Sequence, residues 1–404
     1  MFFRQMARGI SSRAQGVVES ATVAVSAKAR TMMRHGVPVI DLGIGEPDLP
    51  PPMLLTDGVA AFAKKPHKIY SDVAGTPETL EGIVATLKRD YGFTYTPKQV
   101  MGFDGGKVGL DRLFEVMLDP EDEVIIPVPG WLSYGPQVKL SGGRPVFVDA
   151  TISNRFKITA EQLAAAITEK TKAFVLCSLN NPTGIAYTEQ ELNAFAAVLL
   201  RHPQIRVISD DLYQHMDFKG QFRSIGQVCP ALFDRLITVN GTTKSHSWRF
   251  GYVATPDEEL IKAMCRIQSH RSGHPNLEAQ AGARIAFEMG PISSRAAIFK
   301  DRHDRLLPLL QKMPGWRVVP SDGAFYFFVD VRDSMLALGI HSDVEYATAI
   351  LEKAEVAMVP GSAFGSGGHL RIAYSQPIEK LTEAMQRVHD KVAVNATPGN
   401  RLAR

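Results

Sequence analysis

Val100-Met-Gly-Phe-Asp-Gly-Gly-Lys-Val-Gly-Leu110 decides the fold. A short apolar run, Val100 to Phe103, breaks at Asp104 into two glycines, and apolar residues at helical spacing then continue to about Leu118. A short apolar strand, a glycine turn and an amphipathic helix make one strand–turn–helix unit. The unit recurs downstream. Val124-Ile-Ile-Pro-Val128 reads as a strand, followed by Pro129-Gly-Trp-Leu-Ser-Tyr134 and a short helix; Arg144 to Val148 is a strand and Ala160 to Ile167 a helix. Ala173-Phe-Val-Leu-Cys177 runs into Asn180-Asn-Pro-Thr-Gly184, with a helix from Glu189 to Leu200. Arg206-Val-Ile-Ser209 ends in Asp210-Asp-Leu-Tyr213, and Leu236 to Val239 leads into Asn240-Gly-Thr-Thr-Lys-Ser-His-Ser-Trp-Arg249 before a last apolar run, Gly251-Tyr-Val-Ala254. Strands separated by helices of this length form a mostly parallel sheet covered on both faces. Ligands of such sheets bind beyond the carboxyl ends of the strands, where every chemistry-bearing stretch just quoted falls.

The flanks extend this frame. Upstream, Pro38 to Ile44 reads as a strand breaking into Gly43-Ile-Gly-Glu-Pro-Asp48, followed by a helix from Leu54 to Ala63. An exposed loop, Tyr70-Ser-Asp-Val-Ala-Gly75, precedes a helix that Pro77 opens and that runs to about Tyr91. Downstream come helices to about Glu288, a long helix from Ser293 to Leu310, and an α+β unit ending in a helix to about Val392. We expect an N-terminal arm and part of a small domain in 1–50, a large ligand-binding domain in 51–292 with a seven-stranded, mostly parallel sheet, and a smaller α+β domain in 293–404.

Composition narrows the class. The chain has 404 residues, 45% apolar and 22% charged, which is ordinary globular composition. A net charge of +3, with the basic residues dispersed, argues against nucleic acid and against a polybasic membrane anchor. Cys177, Cys229 and Cys265 lack zinc-like or redox spacing and read as reduced thiols of a cytoplasmic protein. No apolar run approaches the roughly 18 residues of a membrane span. Arg4, Arg8 and Arg13 with no acid among the first eighteen residues faintly resemble a presequence; we read an arm packed on a neighbour, or disorder.

The chemistry follows from what each side chain requires. Lys244 sits among small, hydroxylated residues after a strand, where its ammonium loses water and becomes a usable amine nucleophile. A solvated loop lysine is the ordinary reading of one such residue, and the other stretches displace it by calling for one shared ligand. Gly105, Gly106 and Lys107 open a helix after a strand, an anion cradle without the Walker spacing. A single phosphate fits there, with Arg249 as a fixed positive fork. Trp131, just past a strand, can stack on a flat ring. Asp210 ends a buried strand and needs a cationic partner such as a protonated ring nitrogen. Asn181 and Tyr213 can hydrogen-bond an oxygen on the same ring. A phosphate, an aromatic ring, a ring N–H and an amine-reactive aldehyde together describe pyridoxal 5'-phosphate.

These motifs, with Ser20-Ala-Thr-Val-Ala-Val25, Gly45-Glu-Pro-Asp48, Tyr70 five residues before Gly75, Gly323-Ala-Phe-Tyr326, Val359-Pro-Gly361 and Leu370-Arg371, stand in the order of a known family. From about Met6 to about Lys391 the chain resembles the class I/II aminotransferases of fold type I, in particular bacterial aspartate aminotransferases. The resemblance implies a transfer of the amino group between an L-amino acid and a 2-oxo acid, with catalytic Lys244, Asp210 and Tyr213. Lys244 is then the Schiff-base lysine and proton shuttle, Asp210 the partner of the pyridinium, Asn181 and Tyr213 the partners of the ring oxygen, and Trp131 the stacking ring. Gly105, Gly106, Lys107 and Arg249 lie at the phosphate, with Tyr70 reaching it from the second subunit of a homodimer. Arg371 takes the substrate α-carboxylate, helped by Asn181 and the backbone at Gly45. Other cofactor-dependent enzymes, lyases or decarboxylases, share the opening step, and a non-catalytic binding protein is the reading from another class.

Further expectations ride on the resemblance. Asn181-Pro182 is a candidate cis peptide. Arg271 is a candidate for a second carboxylate site. His270 and His274 flank it at a spacing of four, but Gly273 and Pro275 make a loop there and no metal is expected. The family places a longer segment, with a glycine before Trp-Arg, between its lysine and its phosphate arginine. Here only Ser245-His-Ser-Trp248 intervenes, three residues fewer. Either the turn tightens or Arg249 is drawn from the phosphate; we expect the second, and a donor preference other than plain aspartate.

Overall fold

The computed structural model describes residues 11, 15–16, 21–66 and 69–392. Arg4, Arg8 and Arg13 of the N-terminal arm lie outside the described residues. A seven-stranded sheet forms the larger layer, from β2 (Val100–Phe103), β3 (Glu123–Val128), β4 (Arg144–Asp149), β5 (Thr171–Leu176), β6 (Arg206–Asp210), β7 (Leu236–Gly241) and β8 (Gly251–Ala254), in the order β2-β8-β7-β6-β5-β3-β4. Every pair from β7 to β4 is parallel, whereas β8 runs antiparallel to both β7 and β2. The four-residue strand β8 returns directly after the Lys244 turn, too soon for a crossover helix, so it can only run back alongside β7.

Apart from the edge strand β4, whose Phe147 is exposed, the strands are buried on both faces. Val124 and Ile126 pack with Leu110, Leu113 and Phe114 on one side, and Ile125 packs with Phe195 and Leu199 on the other. This two-sided burial is why the strands read as continuous apolar runs rather than alternating ones. The helix Pro77–Tyr91 forms where the sequence places it: Thr76 caps its first turn, Pro77 takes the first position, and Gly92 closes it in the left-handed conformation at φ 76°.

A second body is built around the long helix Ser293–Gln311. Phe299, Leu306 and Leu310 of that helix bury against Phe325, Phe327, Tyr346 and Leu381. Its sheet pairs β10 (Tyr326–Asp330) with β13 (His369–Ala373), flanked by β9 (Arg317–Val318) and β12 (Val359–Pro360). The upstream segment joins here: β1 (Ile40–Asp41) pairs in parallel with β11 (Val356–Ala357). Only two residues of the Pro38–Ile44 run are strand, because β11 offers only two partners. Among the described residues, no helix is long and apolar enough to cross a membrane.

Candidate active site

The carboxyl ends of β3, β5, β6 and β7, together with the end of β2, converge on one cavity of about 400 Å³. Its size is that of a site for a cofactor or small substrate. Gly45, Gly105, Gly106, Lys107, Trp131, Asn181, Asp210, Tyr213, Lys244, Arg249 and Arg371 all line it. Of the residues singled out in sequence, Tyr70 and Arg271 stand elsewhere.

Lys244 lies in the single turn Thr243–His246 after β7. Its Nζ donates to the carbonyl oxygen of Gly45 and lies 5.9 Å from the centre of the Tyr213 ring. Burial, and after it the positive charge of Arg371, bring its ammonium down to about 8. A lysine held there is a neutral amine for much of the time in mildly alkaline solution.

Asp210, at the end of β6, is 8% exposed. Its Oδ2 accepts a hydrogen bond of 2.6 Å from the Tyr134 hydroxyl. Burial raises its carboxyl above the usual range despite that bond and the charge of Lys244. A cation brought against this carboxylate would restore the ionised form. The adjacent Asp211 turns away, accepting from Ser209 Oγ at 2.7 Å, and burial pushes it up to about 7.

Arg371, on β13 and 5% exposed, donates to the Gly43 carbonyl and, at 3.2 Å, to Asn181 Oδ1. Its guanidinium lies 4.8 Å from the centre of the Tyr326 ring, and its Nε has no partner among the described residues. The residue lines the cavity nonetheless, so an anion seated there would meet its positive charge. Tyr326 in turn shares a 2.7 Å hydrogen bond with Tyr213.

At the opposite end, Gly105 has φ 106° and caps the helix Gly106–Met117. A Cβ on Gly105 would stand 3.4 Å from the Arg249 guanidinium carbon. The cradle thus combines helix-terminal N–H groups with Arg249 and with Lys107, whose ammonium burial and Arg249 lower. Lys107 Nζ lies 5.1 Å from the Trp131 ring centre.

Four expectations need correction. The shortened segment tightens instead of drawing Arg249 away. Ser247 adopts a left-handed φ of 54°, and Thr242 ties the turn shut by accepting from His246 N at 2.8 Å and donating through Oγ1 to the Trp248 carbonyl at 2.7 Å. Second, the cis peptide is Val128-Pro129, not Asn181-Pro182. The trans Asn181-Pro182 bond lies inside a turn closed by Gly184 N donating to Asn180 O at 2.6 Å. Third, Arg271 ends the helix Glu258–Arg271 and pairs with Glu115, its side chain 57% exposed, away from the cavity. Fourth, His270 belongs to that helix rather than to a loop, while the His274 ring stands edge-on to Tyr70 at 5.8 Å. Tyr70 itself is 76% exposed and does not line this chain's cavity.

The sequence reading assigned no role to Tyr134, Tyr326 or Arg30, which also line the cavity. Tyr134 follows Trp131 by three residues past a strand end, a position that carries the signal. Tyr326 lies in a quoted motif. For Arg30 the sequence offers only a helix.

Pyridoxal 5'-phosphate fits these residues on three observations. A glycine cradle backed by two cations suits a phosphate, a buried carboxylate that forms no ion pair among the described residues suits a ring N–H, and a lysine with a lowered pKa suits an aldehyde. Comparison with known proteins agrees. Residues 37–388 match the family model described as aminotransferase class I and II. The chain is 40% identical over 385 residues to the aspartate aminotransferase of Bacillus subtilis, covering 94% of this chain and 98% of that one. It is 37% identical over 391 residues to the aspartate/prephenate aminotransferase of Nitrosomonas europaea, again covering 94% and 98%. The crystal structure of the aspartate aminotransferase from Rhizobium meliloti superposes with a TM-score of 0.89 at 35% identity, covering 95% of this chain and 98% of that one.

Proposed function

Because the chain belongs to the class I and II aminotransferases and is a pyridoxal 5'-phosphate-dependent enzyme of that kind, we propose that Lys244 carries its transfer of an amino group between an L-amino acid and a 2-oxo acid. The observation that carries this reading is a lysine near pKa 8 in one cavity with the buried Asp210 and the guanidinium of Arg371. When bound, the cofactor supplies a carbonyl that exchanges with amines and a ring that withdraws electrons from the substrate α-carbon.

The chain's own residues do the rest. Gly105, Gly106, Lys107 and Arg249 hold the phosphate. Trp131 covers the ring, Asp210 keeps the ring nitrogen protonated, and Tyr134 keeps Asp210 aimed. Tyr213 and Asn181 bond the ring oxygen. Arg371, steadied by Asn181 and the Gly43 carbonyl, grips the substrate α-carboxylate in a planar fork and so sets which bond at Cα faces Lys244. Lys244 Nζ then moves the proton of that carbon.

We place the cofactor in 51–292 and read 1–50 and 293–404 as the smaller unit that completes the cavity. Two copies of the chain share each site through Tyr70. The free thiols of Cys177, Cys229 and Cys265 support the cytoplasm as its place of work. The test is a half-reaction. The holoenzyme, given an L-amino acid and no acceptor, should convert its cofactor to the amine form and release one equivalent of 2-oxo acid. Release of carbon dioxide, or elimination of the side chain, in place of that exchange would overturn the reading.

A further inference from the structure

Two side chains outside the cavity wall, Ser247 and Arg295, fasten the turn that carries Lys244. Arg295 lies in the first turn of the long helix Ser293–Gln311 and is 6% exposed. Its Nη1 donates to Ser247 Oγ at 2.7 Å, and its Nη2 donates to the Pro50 carbonyl. Ser247 Oγ extends the contact by donating to the Leu49 carbonyl at 2.6 Å. One guanidinium and one hydroxyl thus tie the left-handed residue of the shortened turn to two successive carbonyls of the loop 43–50.

Lys244 rests on that same loop, since its Nζ donates to the Gly45 carbonyl. The loop is held at other points as well: the Gly43 carbonyl accepts from Arg371, and Asp48 takes both Arg302 nitrogens at 2.7 and 2.9 Å. Arg302 stands seven residues after Arg295, on one face of the long helix. Unlike Arg302, Arg295 makes no ion pair among the described residues, and burial lowers its pKa. A buried cation answered only by a hydroxyl and a carbonyl is a poor stabiliser of a fold, which leaves its hold on the Lys244 turn to be explained. The Trp248–Arg249 end of the turn has an anchor of its own, because Trp248 Nε1 donates to the Ala279 carbonyl at 2.8 Å. Loss of the latch therefore loosens the turn against the loop and leaves the glycine cradle in place.

We propose that Ser247 and Arg295 are positioning residues for Lys244: their latch on Leu49 and Pro50 holds the shortened turn in register with the loop 43–50 and so fixes where the amine stands on the cavity wall. The proposal rests on Lys244 moving the proton of the substrate α-carbon. Such a step is steeply sensitive to placement, a shift of about 1 Å costing on the order of a hundred-fold in rate.

The test compares wild type with Arg295→Gln, Arg295→Lys and Ser247→Gly, the last accepting the left-handed φ of 54° without strain while removing the hydroxyl. With L-aspartate and 2-oxoglutarate, kcat should fall about ten- to a hundred-fold in Arg295→Gln and Ser247→Gly, while affinity for pyridoxal 5'-phosphate stays within about threefold of wild type. The isotope effect on kcat with Cα-deuterated L-aspartate should grow, because proton transfer becomes the slow step. Arg295→Lys, which keeps the charge without the fork, should recover part of the loss. A second readout needs no turnover. Capture of pyridoxal 5'-phosphate by the apo-protein, with its midpoint at about pH 8 in wild type, should shift upward in Arg295→Gln and Ser247→Gly, because a loosened turn admits water to the amine. Arg371, Glu46, Arg249 and Asp210, which also act on that ammonium, are the same in every variant. An unmoved midpoint, an unmoved kcat, or a cofactor affinity that falls as far as kcat overturns the proposal. If Arg295→Gln does not fold, Ser247→Gly carries the test, and if wild type does not turn over L-aspartate, the midpoint decides. Lys244→Ala is measured beside them: turnover at the wild-type rate there sinks the role of Lys244 itself, whereas its loss beside unaffected latch variants sinks the latch alone.

Discussion

Lys244 shows how little a single residue needs in order to become reactive. It is part-buried, and its desolvation and the charge of Arg371 both favour the neutral amine. The sign of the pH dependence follows. Its pKa is lowered, so below about 8 the amine is mostly protonated and slow, and above it the neutral form predominates. The rate at which the apo-protein captures pyridoxal 5'-phosphate, followed by absorbance, should rise with pH through about 8 and level off above. Borohydride reduction of the holoenzyme followed by peptide mapping should fix the cofactor on Lys244; a label on Lys107 would reverse the assignment. This residue was legible in sequence because small neighbours after a strand are a local signal. Asp210 was legible for a similar reason, since the last residue of a buried strand points beyond the sheet edge, whereas Asp211 faces Ser209. Tyr134 and Tyr326 were not legible as site residues. What recruits them is a hydroxyl meeting Asp210 in one case and Tyr213 in the other, and those partners lie 76 and 113 residues away.

Among the elements, the turn from Lys244 to Arg249 is where the sequence invited the wrong choice. Losing three residues looked like losing reach. The turn instead closes on Thr242 and uses a left-handed Ser247, and nothing in Ser-His-Ser announces that conformation, since glycine or asparagine is the usual signal. Arg249 consequently keeps its place at Gly105. Arg249→Ala should then remove a charge-assisted contact of about 1.5–3 kcal/mol and weaken cofactor binding about ten- to a hundred-fold, measurable by equilibrium titration. Gly105→Ala should weaken it as well, because φ of 106° strains any residue with a Cβ. Binding within about threefold of wild type in Arg249→Ala would mean that the tight turn has left the arginine idle. Elsewhere the elements with strong punctuation came out residue for residue, as in Pro77–Tyr91 and Val100–Phe103. Those without it did not, as with the two-residue β1, whose extent β11 sets.

At the scale of the whole molecule, Tyr70 is the residue that a single chain does not explain. It is 76% exposed beside Ile69 at 72%, and Met53 and Leu54 are also exposed, at 79% and 64%. Large apolar side chains left open on a folded chain mark surfaces that another protein covers. A twofold pairing of identical chains covers such a surface with its own copy and makes each cross-chain contact twice. In that arrangement each site takes Lys244 from one chain and Tyr70 from the other. The consequence can be tested by mixing subunits. Tyr70→Phe and Lys244→Ala homodimers are each impaired at both sites, the second far more severely. A heterodimer of the two contains one site with both wild-type residues and one with both substitutions. If Tyr70 acts across the interface, verified heterodimers should show about half of the wild-type kcat per dimer with a wild-type affinity for the cofactor at one site. If Tyr70 serves its own chain, the functional lysine always shares its site with the Tyr70→Phe substitution, and no site of wild-type affinity appears. The count of high-affinity cofactor sites per heterodimer, one or none, decides between the two arrangements.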